Sequence, residues 1–79
     1  MMKLLVISPE ANLLEKEVDF VELPGTLGRF AVLKSHAPLI SSLSKGNVVY
    51  RINGNTESIA IESGFVEIKN DEITVCVEQ

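Results

Sequence analysis

Residues 47–61 read Asn47-Val48-Val49-Tyr50-Arg51-Ile52-Asn53-Gly54-Asn55-Thr56-Glu57-Ser58-Ile59-Ala60-Ile61. Val48, Tyr50 and Ile52 share one parity, with Val49 and Arg51 on the other. Ile59 and Ile61 alternate with Ser58 and Ala60. A period of two marks a strand that buries one face. Asn53-Gly54, between the two runs, is the strongest short-range hairpin signal, because both residue types accept positive φ. The stretch predicts two antiparallel strands joined by a two-residue turn.

The pattern extends outward from this hairpin. Toward the C-terminus, Ile73, Val75 and Val77 alternate with Thr74, Cys76 and Glu78. The strand formers are frequent and often β-branched. Lys45-Gly46-Asn47, Lys69-Asn70-Asp71-Glu72, Pro24-Gly25 and Gly28 punctuate the runs. Strands at ~8–12-residue spacing with such turns point to an all-β sandwich or barrel rather than to βαβ units. A single helical turn within 10–16 is the one departure. The alternation breaks twice. Val18 and Phe20 share one parity while Val21 and Leu23 share the other, so a bulge or a crossing between sheets is expected near Phe20-Val21. A second bulge, turning a corner, is expected at Phe65, just after Gly64.

Composition narrows the function classes. The chain has 79 residues and a net charge of −4, with 46% hydrophobic and 23% charged residues. That is globular composition, in one domain spanning 1–79. An acidic chain without a Lys/Arg run is poorly suited to phosphate backbones, so no nucleic-acid partner is expected. One cysteine, Cys76, forms no internal disulfide, and one Cys with one His falls short of a structural zinc site. The run Leu4-Leu5-Val6-Ile7 is too short for a membrane span or a signal-peptide core. The expected place is cytoplasmic, or peripheral on a larger machine.

Chemistry-bearing residues are few. His36 is the single histidine. Ser8, Ser35, Ser41, Ser42 and Ser44, with Asp19 or Asp71, form no recognisable triad, and there is no Gly-x-Ser-x-Gly elbow. His36 is expected to hydrogen-bond a loop or a partner. Gly25-Thr26-Leu27-Gly28 lacks the Lys and Ser/Thr of a phosphate loop and is expected to make a tight turn. Glu15, Glu17 and Asp19 share a parity and are expected to form a solvated face that discourages edge pairing. Lys34 and Lys45 lie near turns, which leaves open a lipoyl- or biotinyl-like carrier domain with a modified hairpin lysine.

From Leu23 the chain reads LPGTLGRFAVLKSHAPLISSL, followed by Ser44-Lys45-Gly46. The segment His36-Ala37-Pro38-Leu39, the turn Leu43-Ser44-Lys45-Gly46 and the block IAIESGFVEI over 59–68 resemble the epsilon subunit family of the rotary F-type ATP synthase, called delta in mitochondria. The likeness runs in order along essentially the whole chain. Ala31 stands where that family usually has Gly, and Lys34-Ser35 where it usually has Pro-Gly or Pro-Asn. The family's C-terminal helical hairpin, which brakes ATP hydrolysis, has no counterpart in these residues, so that brake is expected to be lacking.

The resemblance implies a small β-sandwich of about ten short strands that performs no chemistry and needs no cofactor. It implies a place on the central stalk between the gamma subunit and the c-subunit ring, at the cytoplasmic face of a bacterial inner membrane. Carried over by position, Ser8, His36, Ser41 and Ser63 would face gamma. Thr26, Leu27, Gly28, Arg29, Ala37, Pro38, Leu39 and Ser42 would lie nearest the c ring. Arg29 there would either bind a ring carboxylate bidentately or stand as a solvated loop residue.

Overall fold

The computed structural model describes residues 1–78. It contains nine strands: β1 (Met2–Ile7), β2 (Asn12–Val18), β3 (Phe20–Gly25), β4 (Gly28–Val32), β5 (Leu39–Leu43), β6 (Gly46–Ile52), β7 (Asn55–Ile61), β8 (Ser63–Lys69) and β9 (Glu72–Glu78). Among the described residues there is no helix, so none is long and apolar enough to cross a membrane. The single turn expected within 10–16 is absent. Asn12 onward is extended and pairs with β1, because Leu13 and Leu14 pack against the core and pairing offers the backbone a ladder.

The strands form one sheet in the order β2-β1-β9-β8-β5-β3-β6-β7, with β4 on the other side of β3. It folds on itself into two layers, β2-β1-β9-β8-β5 and β4-β3-β6-β7. The fold line is narrow. Gly25 pairs with Leu43, Thr26 N donates to Ser42 O at 3.1 Å, and Ser44 N donates to Pro24 O at 2.7 Å. β1 and β9 run parallel, with Leu4 opposite Ile73 and Val6 opposite Val75. This pairing joins the two ends of the chain.

Alternation decides what lies between the layers. Leu4, Val6, Val66, Ile68, Ile73 and Val75 come from the larger layer; Val21, Leu23, Val32, Val48 and Tyr50 come from the smaller. All are buried in one cluster, and among the described residues no buried one is polar or charged apart from the Tyr50 hydroxyl. Each large apolar side chain so buried contributes about 1.5–3 kcal/mol. The Tyr50 hydroxyl reaches the rim and donates to Glu57 Oε1 at 3.2 Å. Burial, and then the Glu57 charge, push its pKa above the ordinary 10.0.

The Asn53-Gly54 hairpin forms as expected. Ile52 pairs with Asn55, and both turn residues have positive φ, 50° and 83°. The bulge or crossing expected near Phe20-Val21 is a crossing, one step earlier. β2 pairs with β1 in the larger layer, β3 pairs with β6 in the smaller, and Asp19 N donates to Arg51 O at 2.8 Å as the chain passes over. The corner expected at Phe65 is a second crossing, at Glu62, whose N donates to Glu78 O at 2.8 Å. No bulge accompanies it, since the β8–β9 register is unbroken from Ser63↔Glu78 to Lys69↔Glu72. The register shift lies instead between Val6 and Ile7, opposite Leu14 and Asn12. The extra residue Leu13 lets both Leu13 and Leu14 reach the core.

Gly64 is required by the closeness of its neighbour. A Cβ there would collide with Cys76 O and lie 3.1 Å from Val77 Cα, both backbone atoms.

Candidate protein-docking surface

The inner face of the larger layer is committed to the core, so its outer face is what other molecules meet. Strand register lays that face out in rows. One row runs Ser42–Phe65–Cys76–Ile7, and the next Ile40–Glu67–Thr74–Leu5–Glu15. A third is charged: Lys69–Glu72–Lys3–Glu17. Ile40 is 72% exposed and Phe65 51%, on adjacent strands. These two large apolar side chains stand open on one face, diagonal to each other across the β5–β8 pairing. Beside Phe65, a groove of about 280 Å³ runs between Ile7, Pro9, Gly64 and Cys76. Beyond Ile40, a shallower hollow is bounded by Pro38, Glu67 and Lys69.

The charged row frames the apolar part. Lys3 Nζ lies 3.0 Å from Glu15 Oε2, and this hydrogen bond raises the ammonium pKa above its ordinary value. Both side chains are about half exposed, and the pair orders the edge more than it stabilises it. Glu15 and Glu17 are exposed on the outer side of edge strand β2, as expected. Asp19 leaves that face. Its Oδ2 accepts from Asn53 N at 3.1 Å and ties the crossing to the β6–β7 turn.

The residues assigned by position do not gather in one place. Ser8 closes a turn with Ala11 (Ser8 N to Ala11 O 2.8 Å, Ala11 N to Ser8 Oγ 3.3 Å) and stands at the lip of the groove. Ser63 is exposed next to Gly64 at the same end. His36 lies in the loop before β5, at the opposite end of that strand, about 13 Å away for four extended steps. Ser41 shares the inward parity of Leu39 and Leu43, and its hydroxyl donates to Ser42 O at 3.1 Å.

Thr26, Leu27 and Gly28 form the tip of the β3–β4 hairpin, where Gly25 pairs with Gly28. Leu27 is fully exposed, and Thr26 Oγ1 hydrogen-bonds Ser42 Oγ at 2.9 Å. Ser42 therefore belongs with this tip. Ala37 and Pro38 are exposed at the other end of β5, and Leu39 packs partly on the core. Arg29 is neither free nor simply solvated. Its Nε donates to Glu22 Oε1 at 2.8 Å and its Nη2 to Asn47 O at 3.0 Å.

No catalytic grouping assembles from the sequence candidates. The His36 ring Nδ1 hydrogen-bonds Ala37 O at 2.6 Å. The two carboxylates weighed as triad members, Asp19 and Asp71, accept from the main-chain amides of Asn53 and Ser35. Among the described residues, no group of three or more His, Cys, Asp or Glu could hold a metal ion. Lys45 lies 3.9 Å from Glu62, just beyond the Gly46–Ile61 pair that ends the β6–β7 ladder. Ile40 and Phe65 were missed from sequence. The signal was present: each takes the parity opposite an inward-facing neighbour, partly buried Leu39 or buried Val66.

The profile described as ATP synthase, Delta/Epsilon chain, beta-sandwich domain matches residues 1–79. The ATP synthase epsilon chain of Desulfitobacterium hafniense is 45% identical over 73 residues, covering 92% of this chain and 55% of that relative. The chain thus spans about half the length of the curated relatives it matches. Among solved structures, a chain of the Euglena gracilis mitochondrial ATP synthase OSCP/F1/c-ring assembly superposes with a TM-score of 0.92 at 17% identity, covering 99% of this chain and 51% of that one. A chain of the Tetrahymena thermophila mitochondrial ATP synthase central stalk/c-ring gives 0.82 at 10% identity, covering 99% and 63%. At such identities the superpositions speak for the two-layered fold. The profile match speaks for descent, and by it this chain belongs to the ATP synthase delta/epsilon family, as its beta-sandwich domain.

Proposed function

We propose that the chain is the β-sandwich part of a central-stalk subunit of an F-type ATP synthase. In this reading it joins the gamma subunit to the membrane c-subunit ring, and rotation passes through it during proton-driven ATP synthesis. It performs no chemistry, and residues 1–79 act as one domain. It sits at the cytoplasmic face of a bacterial membrane, held there through the complex. Family membership along 1–79 carries the reading. The exposed Ile40 and Phe65 on a close-packed body support it, since a joint under torque must be adhesive outside and stiff inside.

The outer face of the larger layer is the gamma side in this proposal. Ile40 and Phe65 anchor it, with Ser8 and Ser63 at one end of β5 and His36 at the other. Ser41 contributes there through its main chain. The c-ring side is the hairpin tip with Thr26, Leu27, Gly28 and Arg29, joined by Ser42. Ala37, Pro38 and Leu39 are assigned with His36 rather than with the ring, because they lie at the far end of β5 from the tip.

The test is direct mixing with purified gamma subunit from the same complex. A 1:1 complex by light scattering is expected. A correctly folded chain that does not bind gamma overturns the reading. Leu27→Asp is expected to leave gamma binding intact while lowering retention of the gamma-bound chain on c-ring membranes. Unchanged retention would remove the hairpin tip from the ring contact.

A further inference from the structure

The loop over 33–38, between β4 and β5, presents His36, Ala37 and Pro38, and its conformation depends on a residue far away in sequence. Ser35 has a φ of 68°, in the left-handed region. The other described non-glycine residues with positive φ are Asn53, Asn70 and Asp71, of the types that tolerate it. Ser35 is the exception and needs something to hold it there. Ser35 N donates to Asp71 Oδ1 at 2.6 Å, a charge-assisted bond across 36 positions. Asp71 is itself fixed. It lies in the tight β8–β9 turn with a φ of 60°, and its carbonyl accepts from Lys3 N at 2.9 Å.

The rest of the loop has little freedom. His36 N donates to Leu33 O at 3.1 Å and closes the turn. Pro38 has a ring-fixed φ and restricts Ala37 to extended geometry. Ser35 is the joint about which the segment would otherwise swing. We propose that Asp71 is a positioning residue: its carboxylate holds Ser35 in the left-handed conformation and so pre-organises the His36–Ala37–Pro38 segment for docking. A segment ordered in advance loses less entropy on binding. The partner half of this inference rests on the gamma-binding reading above; the loop half does not.

The experiment uses the full chain and three variants. Asp71→Gly keeps a residue that accepts positive φ and removes the carboxylate. Asp71→Asn keeps an oxygen acceptor. Ser35→Gly in the Asp71→Gly background removes the need for an anchor at position 35. Amide exchange at Ser35 and His36 is followed by NMR, global stability by thermal melting, and gamma affinity by calorimetry. Asp71→Gly is expected to speed exchange at Ser35 about tenfold, consistent with local opening, while the melting transition stays near wild type. Gamma affinity should fall about fivefold, Asp71→Asn should retain most of it, and the double variant should recover part. Unchanged exchange at Ser35 in Asp71→Gly overturns the anchor. Faster exchange with unchanged gamma affinity overturns the positioning role. Wild-type chain that fails to bind gamma defeats the stalk reading instead, and the exchange comparison still decides the anchor.

Discussion

The two faces of the β2-β1-β9-β8-β5 layer are built from the same strands and differ in almost everything else. Inside, Val66, Ile68, Ile73, Val75, Leu4 and Val6 leave essentially no exposed surface. Outside, Phe65 and Ile40 stand open beside Thr74, Glu67 and the charged row ending in Lys69 and Glu72. The period of two allows this, because neighbouring residues meet different environments. The inner face holds the molecule together, and the outer face is free to specialise in contact. Substitutions on the two faces should therefore separate stability from binding.

Gly64→Ala tests the inner limit and should have the largest effect. The new methyl meets backbone atoms of Cys76 and Val77, which cannot rotate away. A loss of roughly 3 kcal/mol or more is expected in chemical denaturation, at or beyond the upper end for overpacking. Near-wild-type stability would mean that β8 and β9 are not so closely paired. Ile68→Ala comes next. Its side chain is 1% exposed, and truncation should cost about 2–5 kcal/mol. A cost below 1 kcal/mol would show that the core collapses around the gap.

Tyr50 probes the inner face by titration. Its folded-state pKa lies above 10.0 because burial and Glu57 disfavour the phenolate. The unfolded chain therefore gives up this proton at lower pH than the folded one. Tyr50 contributes stability that is fully present below about pH 10 and is lost as pH rises through the folded value. Denaturation midpoints measured from pH 8 to 11 should fall at the alkaline end, and Tyr50→Phe should flatten that fall. An identical fall in the variant would assign it to other groups.

The smallest effect on stability belongs to the outer face. Ile40→Ser should change stability by no more than about 0.5 kcal/mol, and Phe65→Ser, whose ring is half covered, by about 1 kcal/mol. Each should nevertheless weaken gamma binding at least tenfold, as loss of an apolar anchor does. A parallel loss of melting temperature and affinity would erase the division between the two faces.

Much of this molecule was legible in the chain. The strands around 47–61 and 73–77 followed from alternation. The hairpin at Asn53-Gly54 followed from φ preference. Local signals also marked both crossings, since a parity flip at Val18–Val21 and another at Ile61–Val66 require the chain to turn over. How the chain turned was not legible. A bulge and a change of layer leave the same trace in sequence, and only the pairing of β3 with β6, and of β8 with β5 and β9, distinguishes them. The start of edge strand β2 was hidden because Leu13 and Leu14 sit at a register shift, which breaks the alternation seen from Glu15 onward.

The sequence by itself determined the strand class, the turns and the residues available to a core, because these depend on neighbours one to four positions away. Tertiary structure alone decided which strands became neighbours: the parallel β1–β9 pair, the Gly25–Leu43 corner, the row that brings Phe65 beside Cys76 and Ile7, and the bond from Ser35 to Asp71. Each joins residues far apart along the chain, and pairings of that kind are selected by the burial of the whole apolar face at once. No short stretch carries that information, which is why the docking surface came into view only after the layers had closed.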